Sequence, residues 1–448
     1  MKSETSPNVI IRAFVTYFNV NSNIAVEEQI SASNIVNLHW ASTMNYGYII
    51  KLDVNDKNMT GLQNTGNYNI IEQYLKYGKT YPFYIKLKID YERFINPQYN
   101  TTDWFWGVID SISPYYGEIA MFAITAIDPI TWFLKRNILD GKAFNGTFSE
   151  FYEWLINESN KKQYGMLLPN KKIKINMKDT NYKYNSTWYT FRKTPLDIIR
   201  DNLELGRLFS PSKTPYILTV DNGNNPDNFN IYIKDQEQLY QEAHKLYYEY
   251  KGINDFVIGG YPTKGVDIAS YQPYAAIYDA WQGYSQKRLT CNYISSTTGD
   301  VIDDPKITNV DSVNILNVKS KISETFNKPA INQGSYILPQ PEIHDGSWGK
   351  YKLYIDSSAK KLYGDMHQST MKAEFTLQGT PYISNSRYLG SYIISINFSI
   401  TNDKKFFLNG LWIIYGFEHS VVKYKMNTKL LLYRLDNNFK TRYKIEVS

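Results

Sequence analysis

Apolar and polar side chains alternate along several stretches of this chain. In residues 83–90 every second position, beginning at Phe83, is apolar, and most positions between them are polar. Residues 48–54 and 394–400 follow the same pattern with a period of two. Such alternation places one face of a strand on a core and the other toward water or a partner. We therefore predict antiparallel sheets rather than the uninterrupted apolar strands of a buried parallel sheet.

Helices are predicted at only a few places, and each has a recognisable start. Thr147 and Glu150 form a capping box, in which each side chain satisfies a backbone N–H that the first turn leaves free. Thr194 precedes a proline at the first helical position, and Asp235 opens a third helix. The expected ends of the last two are Gly206 and Gly252. Each helix has one apolar face, so each is expected to lie against a sheet.

These elements predict a mainly β, multidomain chain with α+β insertions. Its length of 448 residues allows two to four domains. Asn327–Pro329 and Pro339–Pro341 break regular structure near the last boundary. The predicted units are a β-rich N-terminal domain (1–140), an α+β domain (141–255), an irregular β-rich segment (256–340) and a C-terminal β-rich domain (341–448), the last of which need not be continuous in sequence.

Composition excludes several classes of protein. The net charge of +6 is spread thinly, whereas nucleic-acid-binding proteins usually carry a clustered basic patch. The single cysteine, Cys291, excludes an internal disulfide and a cysteine-based zinc site, and it fits assembly in a reducing cytoplasm. No signal peptide or membrane-spanning stretch is predicted. Aromatic residues make up 16%, including 40 tyrosines; codon usage in an AT-rich genome explains most of that excess, although tyrosine also suits half-buried strands and wet interfaces.

No motif for catalysis or cofactor binding stands out. The sequence has no phosphate-binding glycine loop, no serine nucleophile elbow and no His-Glu-x-x-His. Glu418 and His419 are adjacent in a strand, so their side chains should point to opposite faces. Glu150 and Glu153 are explained as charges near a helix N-terminus. We therefore expect no enzyme activity, no cofactor and no metal site. The histidines lack ligand spacing; they are His39, His244, His344, His367 and His419.

Two long segments resemble the baseplate hub proteins of phage tails. The first runs from Trp104 to Pro129 and contains the strand Trp106-Gly107-Val108-Ile109, then a second strand that closes on Asp128. The helix entry Phe144–Thr147 follows, as it does in such hubs. Two further features are similar, the Thr194–Asp197 helix start and the strand at residues 230–234.

The second segment lies near the C-terminus and is similar to the hub pattern of two long strands. The positions that match this pattern are Gly379, Pro381, Gly410, His419, Thr428 and Arg434. In that family the corresponding hairpin belongs to a small barrel like that of the tail-tube protein. The similar stretches cover roughly half of the chain, and residues 253–340 match nothing in the pattern.

The resemblance implies a structural subunit that joins a hexameric tail tube to a central spike or tail-tip protein and lines the DNA exit channel. It implies two tail-tube-like barrels or sandwiches, one at each end of the chain, and a homotrimer that contacts other baseplate proteins and through which phage DNA passes. Such a subunit is part of the virion and is assembled in the host cytoplasm. A single continuous sheet through both ends would contradict two separate domains. A tail-associated glycan-binding module and a cell-wall hydrolase are the alternatives.

Overall fold

A computed structural model describes most of the chain outside 272–371. The described stretches are 9–19, 24–55, 70–91, 101–116, 120–136, 139, 141–161, 171–178, 186–190, 193–203, 206, 210, 216–225, 227–250, 255–258, 268–271, 290–294, 301–303, 335–337, 372–398, 410–422 and 425–434. The alternating stretch 394–400 is described in part. The breaks predicted at 327–329 and 339–341 lie outside the described residues.

The N-terminal third is a run of long antiparallel strands with two short helices. The strands are β1 (Val9–Asn19), β2 (Ile24–Ile30), β3 (Ile35–Thr43), β4 (Gly47–Asn55), β5 (Tyr84–Tyr91), β6 (Phe105–Tyr116) and β7 (Ala120–Ile127). A 3-10 turn covers Ala32–Asn34, and the helices are α1 (Ile70–Tyr77) and α2 (Pro129–Arg136). Buried and less buried positions alternate along β4 and β5, as the sequence pattern predicts.

The middle of the chain carries the longer helices, and their starts agree with prediction. The elements are β8 (Ala143–Gly146), α3 (Phe148–Lys161), β9 (Lys172–Met177), β10 (Ser186–Tyr189), α4 (Pro195–Asp201), β11 (Ile217–Val220), β12 (Asn228–Lys234) and α5 (Gln236–Glu249). Thr194 caps α4, and Asp235 forms a capping box with Gln238 at α5. The expected end at Gly206 is wrong, because α4 stops at Asp201 and the Asn202 side chain bonds the Ile198 carbonyl at 2.8 Å.

The remaining strands belong to the C-terminal half. They are β13 (Asp255–Ile258), β14 (Ile268–Tyr271), β15 (Thr290–Ile294), β16 (Val301–Asp303), β17 (Ser335–Ile337), β18 (Lys372–Gln378), β19 (Ile393–Phe398), β20 (Gly410–Val422) and β21 (Lys425–Arg434), with a 3-10 turn at Ser386–Tyr388. Small sheets of two or three strands form in the orders β10-β8, β11-β12-β9 and β16-β15-β17. The mainly β fold class predicted from the sequence is confirmed.

One large sheet runs through both ends of the chain. Its strand order is β14-β18-β21-β20-β3-β4-β7-β6-β5-β1-β2, and β19 and β13 join it beside β20. The expectation of a separate sheet at each end is therefore wrong, because β3 pairs with β20. This pairing satisfies backbone groups that a free edge of the β20–β21 hairpin would expose. The predicted domain boundaries stay predictions, although β13 and β14 pair with C-terminal strands.

Candidate functional site: the seam between the two ends of the chain

β20 is the strand on which the N-terminal and C-terminal strands meet. Its first part pairs with β19, from Ile413 to Gly410, and its second part pairs with β3, from Gly416 to Val422. At the change of partner, the Met44 N–H donates to the Tyr415 carbonyl at 2.9 Å. We call this junction, together with the loop at residues 379–391 that packs on it, the seam.

Gly416 is required by the close approach of chains at the seam. A Cβ at this position would lie 2.9 Å from Leu431 Cδ1 and 3.1 Å from the Ser42 carbonyl oxygen. The β20–β21 register also shifts between Ile414 and Gly416. The glycine thus allows β20 to bulge and change partner without a clash.

His419 fastens the 379–391 loop to β20 and β21. It is fully buried; its Nε2 lies 2.8 Å from the Ile383 carbonyl oxygen and its Nδ1 lies 2.9 Å from Thr428 Oγ1. The Thr380 N–H in turn donates to Thr428 Oγ1 at 3.0 Å. A carbonyl can only accept, so Nε2 carries the proton and Nδ1 accepts from the threonine hydroxyl. In this series of three hydrogen bonds, both ring nitrogens and the Thr428 hydroxyl have partners while the ring is neutral.

The electrostatics agree with a neutral ring. Burial lowers the pKa of His419 to about 4, although the bond to the Ile383 carbonyl opposes the shift. Glu418 is half-buried while the neighbouring His419 is fully buried, so the two side chains take opposite faces, as predicted. His419 is therefore a packing and hydrogen-bonding residue with both nitrogens in use.

The neighbouring motif residues shape the same loop. Gly379 has a φ of +50°, and a Cβ there would lie 2.8 Å from the Tyr91 ring. Pro381 is buried. Gly379 and Pro381 thus lie in the loop that His419 and Thr428 hold between Tyr91 of β5 and the β20–β21 hairpin.

Asn222 is a seam residue that the sequence did not reveal. It is buried, its Nδ2 donates to the Ser384 carbonyl at 2.8 Å, and its Oδ1 accepts from the Ser386 N–H at 3.2 Å. Its own carbonyl accepts from the Trp106 N–H at 2.9 Å. One asparagine therefore ties β6, the middle of the chain and the C-terminal loop. Its setting in an Asp-Asn-Gly run indicated only a turn.

An ion pair on a buried lysine is a second feature that the sequence did not reveal. Lys234 at the end of β12 is 4% exposed and lies 2.6 Å from Glu242 of α5. The ammonium also donates to the Arg387 carbonyl at 2.9 Å, and Ser391 donates to Glu242 at 3.1 Å. Burial lowers the pKa of Lys234, and Glu242 opposes that shift. The pair fixes the α+β segment to the far end of the same loop.

Trp106 and Gly107 lie on β6, and only the first reaches the seam. Half-buried Trp106 contacts it through Asn222, and its carbonyl also accepts the Tyr48 hydroxyl. A Cβ at Gly107 would lie 2.8 Å from Ile50 Cδ1 and 3.0 Å from the Ala126 Cβ. The glycine therefore lets β6 pack closely against its neighbours inside the N-terminal part of the sheet.

Asp128 immediately precedes α2 and is fully buried beside the β3–β4 turn. Its carboxylate accepts from the Thr131 N–H at 2.7 Å and from the Tyr48 N–H at 3.3 Å. Burial raises its pKa to about 6 in spite of these bonds. Gly47, with a φ of +77°, passes so close that a Cβ would overlap the carboxylate. Asp128 is a helix cap that also fixes the turn.

The last two motif residues lie at the other end of the β20–β21 hairpin. Gly410 begins β20 with a φ of +128° and pairs with Ile396. Arg434 ends β21, opposite Trp412. The motif thus divides between the seam, the N-terminal sheet and this far end of the hairpin. Within the described residues, no group of His, Cys, Asp or Glu is placed to hold a metal ion, and no helix is long and apolar enough to cross a membrane.

The structure is similar to solved tail proteins along almost its whole length. A 43 kDa tail protein of prophage MuSo2 from Shewanella oneidensis aligns at a TM-score of 0.51 and 11% identity, covering 95% of this chain and 98% of that one. The chain has the fold of a phage tail protein. A chain of the Francisella PdpA–VgrG complex aligns at a TM-score of 0.50 and 12% identity, covering 96% of this chain and 58% of that one. These neighbours agree with the resemblance to the hub family. No family model and no curated protein matches the sequence.

Proposed function

We propose that this chain is a structural subunit of a phage tail baseplate hub, joining the tail tube to a central spike or tail-tip protein. The observation that carries the proposal is the fold likeness to the Shewanella prophage tail protein, which extends over 95% of this chain. The order of the sequence motifs points the same way. The Francisella neighbour is a chain of a complex of PdpA and VgrG, which supports a role within a larger assembly.

The proposed assembly is a homotrimer in the virion that lines the route of the ejected DNA. Three chains around the tail axis match a hexameric tube, because each chain then meets two tube subunits. The outer strands of the large sheet support pairing between copies. Within the part of the chain that the structure describes, β2 pairs only with β1, and β14 pairs only with β18. A neighbouring copy would cover these edges.

We also propose that the chain hydrolyses neither peptidoglycan nor polysaccharide. Glycosidases need a general acid whose pKa is raised. The pKa of Glu150 is lowered instead, because its carboxylate accepts from the Thr147 N–H at 2.8 Å. Zymography with the full chain tests this point. A clearing zone that disappears in Glu150→Gln or Glu153→Gln would overturn it.

The hub proposal is tested by removing the gene from the phage that encodes this chain. We expect particles without complete tails, and recovery when the wild-type gene is supplied in trans. Quantitative mass spectrometry of purified virions should find the chain at a small fraction of the abundance of the tail-tube protein. Infectious particles that lack the chain, or particles that contain as much of it as of the tube protein, would contradict the proposal.

A further inference from the structure

A surface groove lies beside α3, away from the seam. Its volume is about 590 Å³, within the range of about 300 to 1,000 Å³ that is usual for small-molecule sites. It is lined by Glu150, Glu153, Trp154, Asn157, Asn160, Lys161 and Lys172. Two carboxylates and two ammonium groups leave this lining without net charge, which favours a neutral polar ligand over an anionic polymer.

The frame of the groove is fixed by contacts within the chain. The Asn160 side chain donates to the Ile173 carbonyl at 2.9 Å and accepts from the Ile173 N–H at 3.3 Å. These two bonds hold α3 against β9. Glu150 is held by the cap at Thr147, and Lys161 pairs with Glu158 at 2.8 Å. These side chains are occupied in holding the walls of the groove.

Other groups in the lining are exposed and available to a ligand. The side chains of Glu153, Asn157 and Lys172 are exposed, and they make no hydrogen bond or ion pair with other residues that the structure describes. Glu153 offers acceptors, Lys172 offers donors and Asn157 offers both. Helical spacing places Glu153 and Asn157 on one side of α3, and Lys172 comes from β9.

Trp154 adds an aromatic surface to these polar groups. Its ring stacks on Phe144 and Phe151, with centroids 5.3 and 6.0 Å apart, so the indole is held in place by packing. The indole is fixed, and the polar groups beside it carry no net charge. This combination suits a ligand with C–H faces that pack on the ring and many hydroxyl groups that form hydrogen bonds. We propose that this groove binds a neutral saccharide. It binds without cleaving, since Glu150 is committed to the helix cap.

Titration calorimetry of the full chain with tri-N-acetylchitotriose, maltotriose and cellotriose at millimolar concentration tests the proposal. We expect one-to-one binding of at least one trisaccharide and a loss of about tenfold in affinity, about 1.4 kcal/mol, in Asn157→Ala and in Lys172→Ala. Lys174→Ala is the matched control, because Lys174 is exposed on the same strand but lies outside the groove, and it should bind like the wild type.

Trp154→Ala should abolish binding, and Trp154→Phe should keep part of it. Because Trp154 is half-buried, the melting temperature of each tryptophan variant is measured alongside; the exposed Asn157 and Lys172 variants decide the outcome if Trp154→Ala unfolds. Failure of all three sugars to bind would overturn the proposal, as would equal affinity in Asn157→Ala, Lys172→Ala and the wild type. Neither result bears on the hub proposal, which does not depend on this groove.

Discussion

The hydroxyl of Ser42 donates to the hydroxyl of Ser386 over 2.8 Å, across 344 positions of the sequence. Both side chains are buried, and the Ser42 Oγ also lies 3.3 Å from the Gly47 carbonyl oxygen, which shares the same hydroxyl proton more weakly. The bond lies where β3 meets β20 and the 379–391 loop. Contacts between residues so distant in sequence join the two ends of the chain into a single sheet. Mutations at the seam should therefore change the stability of the folded chain.

Removal of the His419 ring should destabilise the chain strongly. We expect His419→Ala to lower the free energy of unfolding by about 3 kcal/mol, because it opens a cavity and leaves the Ile383 carbonyl unsatisfied. Thr428→Val keeps the shape but removes the hydroxyl between Thr380 and the ring, and should cost about 2 kcal/mol. Urea unfolding measures both.

The double variant and a control separate the network from general effects. His419→Ala with Thr428→Val should cost less than the sum of the single changes, since both break the same chain of bonds. His244→Ala, in a half-buried ring contact on α5, should stay within about 0.5 kcal/mol of the wild type. Strict additivity of the two seam changes would contradict the network.

Stability should depend on pH through two buried groups of opposite effect. The pKa of His419 falls from 6.5 to about 4 on folding, so between these values the unfolded state holds more protons and stability rises with pH. The pKa of Asp128 rises from 3.8 to about 6 on folding, so there the folded state holds more protons and stability falls with pH. The two slopes, each at most about 1.4 kcal/mol per pH unit, oppose each other.

Variants should uncover each slope. Relative to the wild type, His419→Gln should lose stability as pH rises from 4 toward 6, and Asp128→Asn should gain it over the same interval. Measuring differences from the wild type removes the contribution of the other titrating groups. Parallel pH profiles for all three proteins would show that neither group titrates as its burial requires.

The glycine at the change of strand partner offers a steric test. Gly416→Ala should cost about 1 to 3 kcal/mol, because the new methyl meets a leucine side chain and a backbone oxygen at about 3 Å. Gly141→Ala is its control, since a Cβ there has open space around it, and that variant should be neutral or slightly stabilising. Thermal unfolding measures the loss of stability in the two variants. An equal loss in both would contradict a steric clash at Gly416 as the cause.

For the Lys234–Glu242 ion pair we predict that breaking it costs more stability than replacing both partners. Glu242→Gln leaves the Lys234 ammonium buried without its counter-charge and should cost about 3 kcal/mol. The double change Lys234→Met with Glu242→Leu removes both charges and should cost clearly less. Chemical unfolding of the two variants decides; a larger loss in the double variant would contradict this description of the pair.

Local pattern predicted the elements of this fold but not how its two ends meet. The alternation around β4 and β5 and the caps at Thr147, Thr194 and Asp235 depend on neighbouring residues, so the sequence specifies them directly. The β3–β20 pairing depends on which distant edges bury each other, and alternation is the same for every possible partner. Asn222 acquires its role from loop atoms more than a hundred positions away, and so does Lys234 in part, since it bonds the Arg387 carbonyl as well as Glu242.

The hub motif was informative to different degrees. His419, Thr428, Gly379 and Pro381 meet at the seam, which shows that this part of the pattern records packing between a loop and a hairpin. Gly410 and Arg434 mark only the ends of strands. The sequence pattern alone does not separate residues that pack at the seam from residues that end a strand, because both kinds fit the same spacing along a β-hairpin.

The central claim is that this chain forms the ring between the tail tube and the tail tip. Cryo-electron microscopy of the intact tail tip measures this directly, by locating the chain and counting its copies around the tail axis. We predict three copies in a closed ring against the last ring of the tube. One or six copies per tail, or a position outside the tube axis, would contradict the account.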